Sequence, residues 1–306
     1  MFRLAHFSDV HLGPLPKVRW RDLASKRSAG YWNWRRNRAK SHLPETLARL
    51  VDDAQKRNPD HIAVTGDLIN IGLDDEIAGG AEWLEALGHP NDVSVVCGNH
   101  DAYVPGVLQK ALGAWQPYVQ GDDAKLVTGP DDYPLLRRRG EVSFILCNSA
   151  EPSPIFMATG RFRKRQAKGL SRLLETEGKA GQCRVVLIHH PPIKRSTPLH
   201  KRLMGQSLFR ECIKTHGAEL VLHGHTHLDT IFEIPGAGGE VPVVGVPSGA
   251  QTLRPDREKR KRGKPAARYN LFNISKGPDG WRIAMQEYGY RFRHDAIELV
   301  AKHQLR

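Results

Sequence analysis

Short apolar runs rich in Val, Ile and Leu recur through the first 225 residues, at Phe2 to Phe7, His61 to Val64, Val93 to Cys97, Val142 to Cys147, Arg184 to Ile188 and Glu219 to Leu222. Each has the length of a buried strand. Between them lie segments of helical spacing. Leu47, Leu50, Val51 and Ala54 share one face before Pro59, and Leu170, Leu173 and Leu174 share one before Gly178. Strand and helix alternate, which predicts an α/β fold. Beyond residue 228 the pattern becomes strand, turn, strand: Thr230 to Ile234, a Gly-rich turn at Gly236 to Gly239, then Val241 to Val246. Two more strand-like runs follow at Tyr269 to Ile274 and Trp281 to Tyr288. The C-terminal part should add antiparallel strands, and Asp295 reads as the cap of a last short helix through Lys302. A chain of 306 residues can bury a sizeable core, so one large domain over residues 1–292 is expected, with a helix or tail at 293–306.

Two segments interrupt this pattern as insertions. Residues 14–42 combine many Arg and Lys with Trp20, Tyr31, Trp32 and Trp34, and Arg254 to Arg268 holds eight cationic residues without apolar periodicity. The second reads as a solvated loop. The first reads as a contact surface, because tryptophans beside so many cations are costly to leave in plain solvent. The formal charge of +13, from 46 Lys and Arg against 33 Asp and Glu, favours an anionic partner: nucleic acid, a phosphorylated metabolite or a membrane surface. Cys97, Cys147, Cys183 and Cys212 form no C-x-x-C pair and read as buried thiols in a reducing compartment. No apolar stretch approaches the roughly 20 residues of a membrane helix, and no signal-peptide core is visible, so a cytoplasmic location is expected.

Where the polar clusters fall decides the chemistry. Phe2 to Phe7 leads into Ser8-Asp9-Val10-His11, His61 to Val64 into Thr65-Gly66-Asp67, and Val93 to Cys97 into Gly98-Asn99-His100-Asp101. Arg184 to Ile188 leads into His189-His190-Pro191-Pro192, and Glu219 to Leu222 into His223-Gly224-His225-Thr226-His227. Side chains just beyond the carboxyl ends of neighbouring strands in an α/β sheet converge on one crevice. Gly66, Gly98 and Gly224 precede ligands where the chain must turn sharply or approach an ion. Imidazoles, carboxylates and an amide suit Mn, Fe, Zn or Co, and seven candidate ligands exceed what one catalytic ion takes. His6 and His223, on the strands, read as core or supporting side chains.

The ordered motifs D-x-H, G-D, G-N-H-D, H and G-H-x-H, over residues 6 to 227, resemble those of the calcineurin-like metallophosphoesterase superfamily. The resemblance implies two packed mixed sheets flanked by helices, a four-layer α/β/β/α sandwich with a binuclear metal site at the carboxyl ends of the strands. It places Asp9, His11 and His227 on one ion, Asn99, His189 and His225 on the other, and Asp67 as the bridge. His189 is preferred over His190 as it follows the strand directly. His100 would protonate the leaving oxygen, with Asp101 orienting it. Two cations about 3.5 to 4 Å apart would lower the pKa of a shared water to give the attacking hydroxide and clamp the phosphoryl oxygens.

The H-H-P-P form of the fourth motif and the chain length resemble the bacterial branch acting on cyclic nucleotides and glycerophosphodiesters, so a phosphodiester substrate is expected. The Trp- and Arg-rich insertion points within that class to a phospholipid, cleaved in the manner of a phospholipase C at the inner face of a membrane that residues 14–42 contact. A soluble cyclic-nucleotide or glycerophosphodiester phosphodiesterase, a nuclease whose basic run tracks a phosphate backbone, and a non-catalytic metal-binding scaffold are the alternatives. No nucleic-acid module is recognisable. The family's members often form dimers, but no segment here marks a homo-oligomer interface.

Overall fold

The computed structural model describes residues 1–23, 25–252, 264–291 and 294–306. In chain order the elements are β1 (Phe2–Phe7), α1 (Arg27–Arg36), α2 (Pro44–Lys56), β2 (His61–Val64), α3 (Asp74–Leu87), β3 (Val93–Val95), α4 (Val107–Ala114), α5 (Gln116–Val119), β4 (Leu135–Arg139) and β5 (Val142–Leu146). Then come β6 (Gly160–Arg161), α6 (Lys164–Lys179), β7 (Cys183–Leu187), β8 (Leu203–Met204), α7 (Gln206–His216), β9 (Leu220–His223), β10 (Thr230–Gly236), β11 (Gly239–Gly245), β12 (Arg268–Gly277), β13 (Gly280–Arg291) and β14 (Ala296–Gln304).

Two six-stranded mixed sheets, ordered β14-β13-β12-β1-β2-β3 and β10-β11-β9-β7-β5-β4, stack face to face between helices. Strands β1, β2 and β3 run parallel, as do β5, β7, β9 and β11. Alternation within the strands divides the core. Val185, Leu187, Leu220 and Leu222 join Leu4, Ala63 and Phe144 between the sheets, where His61 stacks on Phe144 at 4.3 Å. Val186, Val221 and Ile145 point the other way, onto Leu170 and Leu174 of α6 and Phe209 and Ile213 of α7. On the first sheet's outer side, α2 buries Leu47, Leu50 and Ala54, the face its spacing predicts.

The C-terminal segment corrects one expectation. Ala296–Gln304 is not a helix but an edge strand, antiparallel to β13 from Arg291↔Ala296 to Ala284↔Gln304. A cap and good helix formers are a weak local preference, and pairing with a twelve-residue neighbour outweighs them. Leu135–Arg139 forms a strand outside the apolar runs read from the sequence; Arg137 is buried with its guanidinium held by the carbonyls of Val93 and Pro90. Most of the basic loop expected at 254–268 lies outside the described residues. The four cysteines are all buried and free.

The insertion contains α1, which is docked on the loop after β2. Arg27 Nε donates to the Ile71 carbonyl at 3.0 Å, and Gly30 lies so near Tyr103 that a Cβ there would stand 2.2 Å from the phenol oxygen. Leu15, Val18 and Tyr31 pack on Ile71, Leu73 and Tyr103. Trp34 is half-buried and stacks with Tyr31, whereas Trp20 and Trp32 are 79% and 64% exposed.

Candidate metal centre

The strand ends deliver the candidate ligands to one place. Asp9 and His11 follow β1, Asp67 follows β2, Asn99 follows β3, His189 follows β7, and His225 and His227 follow β9. Backbone hydrogen bonds clip these loops together: Asp9 N–H to Gly66 O, His11 N–H to Asp67 O, and Gly224 N–H to His189 O. Contacts then run through all seven side chains. His227 Nε2 is 3.0 Å from Asp9 Oδ1 and 3.4 Å from His11 Nε2, which is 3.9 Å from Asp67 Oδ2. Asp67 Oδ2 is 3.5 Å from His189 Nε2, and that nitrogen is 3.3 Å from Asn99 Oδ1. His225 offers a nitrogen within 4.8 Å of one on His189.

Two of the groupings that could hold a cation, Asp9 with His11 and His227, and Asp9 with Asp67 and His189, meet at the carboxylates. The donor chemistry fits metal ions. Asp9 Oδ1 is buried with no well-aligned hydrogen bond, its near neighbour being His227 Nε2 at 3.0 Å, itself a candidate ligand, and a cation shared by the two would complete both. Burial lowers the pKa of His189, but Asp67 and Asp9 outweigh it and hold it at about 9. The cluster thus draws positive charge to the point where an ion would sit. Burial raises Asp9, yet His227, His189 and His11 together keep it well below the ordinary carboxylate range.

The local backbone shows what this assembly demands. Asp9, His11, Asp67, His225 and His227 all have φ between 41° and 68°, a region sparse for non-glycine residues and concentrated at functional sites. Two of the predicted glycines are required by crowding. A Cβ on Gly98 would lie 2.2 Å from Asp67 Oδ1, and one on Gly224 would lie 1.8 Å from Ser8 Oγ and 2.6 Å from Asp9 Oδ2.

Supporting hydrogen bonds fix ring orientations. His11 Nδ1 faces Ile69 O, His189 Nδ1 donates to Thr65 O at 2.6 Å, and His225 Nε2 donates to Lys201 O at 2.9 Å. His189 therefore turns Nε2 towards Asp67 and Asn99. His190 has its nitrogens engaged by Ser149 Oγ at 2.8 Å and Ala158 O at 3.2 Å. His6 bonds Thr65 Oγ1, and His223 bonds Gly224 O, as supporting residues.

His100 stands beside the cluster, its ring 4.8 Å from that of His11, and burial together with Arg38 lowers its pKa to about 3. The expected partner is not the one found. The Asp101 carboxylate makes no hydrogen bond to the His100 ring: it accepts the backbone N–H groups of Asp67, Leu68, Ile69 and Gly98. It shapes the loop that presents Asp67, and the Asn70 carbonyl holds His100 Nδ1 instead. Arg38 and His42, from the insertion, also reach the cluster: His42 lies 5.6 Å from the His11 ring, and Arg38 contacts His100. Neither carries a motif; an arginine among many in a basic segment gives no sequence signal.

Comparison with known proteins agrees with this architecture. No curated protein matches the chain. Among solved structures, a dimetal phosphatase from Danio rerio superposes with a TM-score of 0.63 at 12% identity, over 100% of this chain and 99% of that one. A purple acid phosphatase from yellow lupin (Lupinus luteus) seeds gives 0.56 at 12% identity over 98% of this chain, which spans about half (53%) of that protein. Such identities show a shared fold. The sequence model of the calcineurin-like phosphoesterases matches residues 2–229, the stretch holding every strand end described above, and so this chain belongs to the calcineurin-like phosphoesterase family.

Proposed function

We propose that this protein is a binuclear metal-dependent phosphodiesterase that cleaves a phospholipid at a membrane surface. Asp9, His11 and His227 would hold one ion, Asn99, His189 and His225 the other, and Asp67, whose Oδ2 faces both His11 and His189, would bridge them. Ions held there would supply a water of lowered pKa and positive charge for the phosphoryl oxygens. His100 is fixed through Nδ1 by Asn70 O; an anionic phosphoryl group arriving beside it would offset the burial and the Arg38 charge that depress its pKa, so that Nε2 carries a proton to the departing oxygen.

The observation that carries the lipid reading is an exposed apolar rim tied to the ligands. Ile155, Phe156 and Leu199 are 50%, 86% and 74% exposed. Their loops are bonded to each other and to the centre: Ala158 N–H to His200 O, His190 Nε2 to Ala158 O, and His225 Nε2 to Lys201 O. Lys26 of the insertion donates to Ser153 Oγ and Met157 O, joining the basic segment to the same rim. Exposed apolar side chains flanked by cations suit an anionic bilayer surface. Among the described residues no helix is long and apolar enough to cross a membrane, so the contact would be peripheral.

The test is product release from anionic phospholipid vesicles, glycerophosphocholine, cyclic AMP, bis(p-nitrophenyl) phosphate, p-nitrophenyl phosphate and single-stranded DNA, each with Mn and with chelator. Chelator-sensitive turnover of the vesicles above the soluble esters is expected, and Trp32→Ala with Trp34→Ala should weaken vesicle binding. Preference for a soluble diester, the monoester or DNA moves the substrate to that class. No turnover of any, with metal bound, leaves a non-catalytic scaffold.

A further inference from the structure

Arg38 differs from the insertion's other cations in where its charge is spent. Its Nη1 lies 3.4 Å from His100 Nδ1 and its Nη2 lies 3.0 Å from Nε2, so the guanidinium runs along the imidazole. Because His100 Nδ1 is already bonded to Asn70 O, the ring can accept from this guanidinium only at Nε2, from Nη2, and offers no acceptor to Nη1. Among the described residues Arg38 forms no ion pair; Asp67 and Asp9 act on it only at a distance. A half-buried guanidinium beside a cluster that draws further cations is unfavourable unless an anion lies between them.

The placement is built. Leu43 N–H donates to Ala250 O at 3.1 Å, Thr252 N–H donates to Ser41 O at 2.6 Å, and His42 bridges to Gln251. Ser248 Oγ in turn donates to Asp9 O at 2.6 Å. At the far end of α1, Arg27 grips the carbonyls of Ile71 and Gly72, next to the Asn70 that holds His100. The segment carrying Arg38 is thus tied on one side to the loop after Asp67 and on the other, through the loop of Ser248, to Asp9.

We propose that Arg38 is the side chain through which the insertion binds substrate, its planar fork holding non-bridging oxygens of the phosphoryl group beside His100. This rests on the phosphoesterase reading, and the ligand chemistry is a phosphate anion, esterified or free. An arginine suits that task because its paired donors match two phosphate oxygens.

Calorimetric titration of inorganic phosphate into the Mn-loaded protein tests this without turnover, alongside metal content and thermal melts. Arg38→Ala should weaken phosphate binding by at least about tenfold, the scale of one charge-assisted hydrogen bond, and Arg38→Lys should restore only part. Turnover of bis(p-nitrophenyl) phosphate should fall in parallel and recover partly when guanidine is added, which a folding defect would not do. Should Arg38→Ala not fold, Arg38→Gln is held to the same threshold. Phosphate affinity within twofold of wild type at full metal content, or no phosphate binding by the wild type, overturns the assignment. A wild type that binds phosphate through Arg38 yet hydrolyses no ester would overturn the hydrolase reading alone.

Discussion

Residues 8–11, 65–70, 98–101 and 224–227 are buried except for His100 and Thr226, whereas among the described residues of 14–42 none is fully buried. The first group holds its geometry by crowding: left-handed ligands, glycines with no room for a methyl, and backbone N–H groups gathered by one carboxylate. The second holds its place by backbone hydrogen bonds at its C-terminal end, the Arg27 side chain and a small apolar cluster. Side-chain identity should therefore matter at nearly every position of the first region and at few of the second.

The sharpest way to break this contrast is Gly98→Ala, which removes no ligand but pushes a methyl into the Asp67 carboxylate. Loss of metal from a two-ion stoichiometry, read by elemental analysis, and loss of measurable turnover are expected; retention of both ions would mean that crowding does not set the site. His100→Ala should keep its metals and lose about 10²–10⁴ in kcat, with a smaller loss on p-nitrophenyl esters, whose leaving group needs no proton. Asp101→Ala strips the acceptor from at least three buried N–H groups. At about 1–3 kcal/mol for each unsatisfied group, it should destabilise the fold by about 3 kcal/mol or more in denaturant titration; a slower reaction at unchanged stability would instead restore the orienting role first expected of it. The smallest effect belongs to the insertion: Trp32→Ala should shift stability by no more than about 0.5 kcal/mol while weakening vesicle binding severalfold.

The same contrast governs what is legible in the sequence alone. A ligand at the end of a parallel strand announces itself, because the apolar run and the polar residue are adjacent in sequence, and Asp9, Asp67, Asn99, His189 and His225 lie where that logic puts them. Adjacency in sequence does not by itself pair two side chains. Asp101 follows His100 directly but points back to the Asp67 loop, since the turn after β3 sends consecutive side chains opposite ways. Arg38 needed the tertiary structure, as did the edge strand β14, whose alternation is weak because neither of its faces is fully buried.

The clasp between residues 41–43 and 250–252 bears on how the protein is made. The family match ends at residue 229, by which point a growing chain holds all seven candidate ligands. Yet β1, which carries Asp9 and His11, gains its second neighbour only from β12, and Ser248 steadies the Asp9 carbonyl. During synthesis the ligands would be present before the loop that presents two of them is secured, so metal capture should be late, following emergence of Ser248 and β12 rather than appearance of the last ligand.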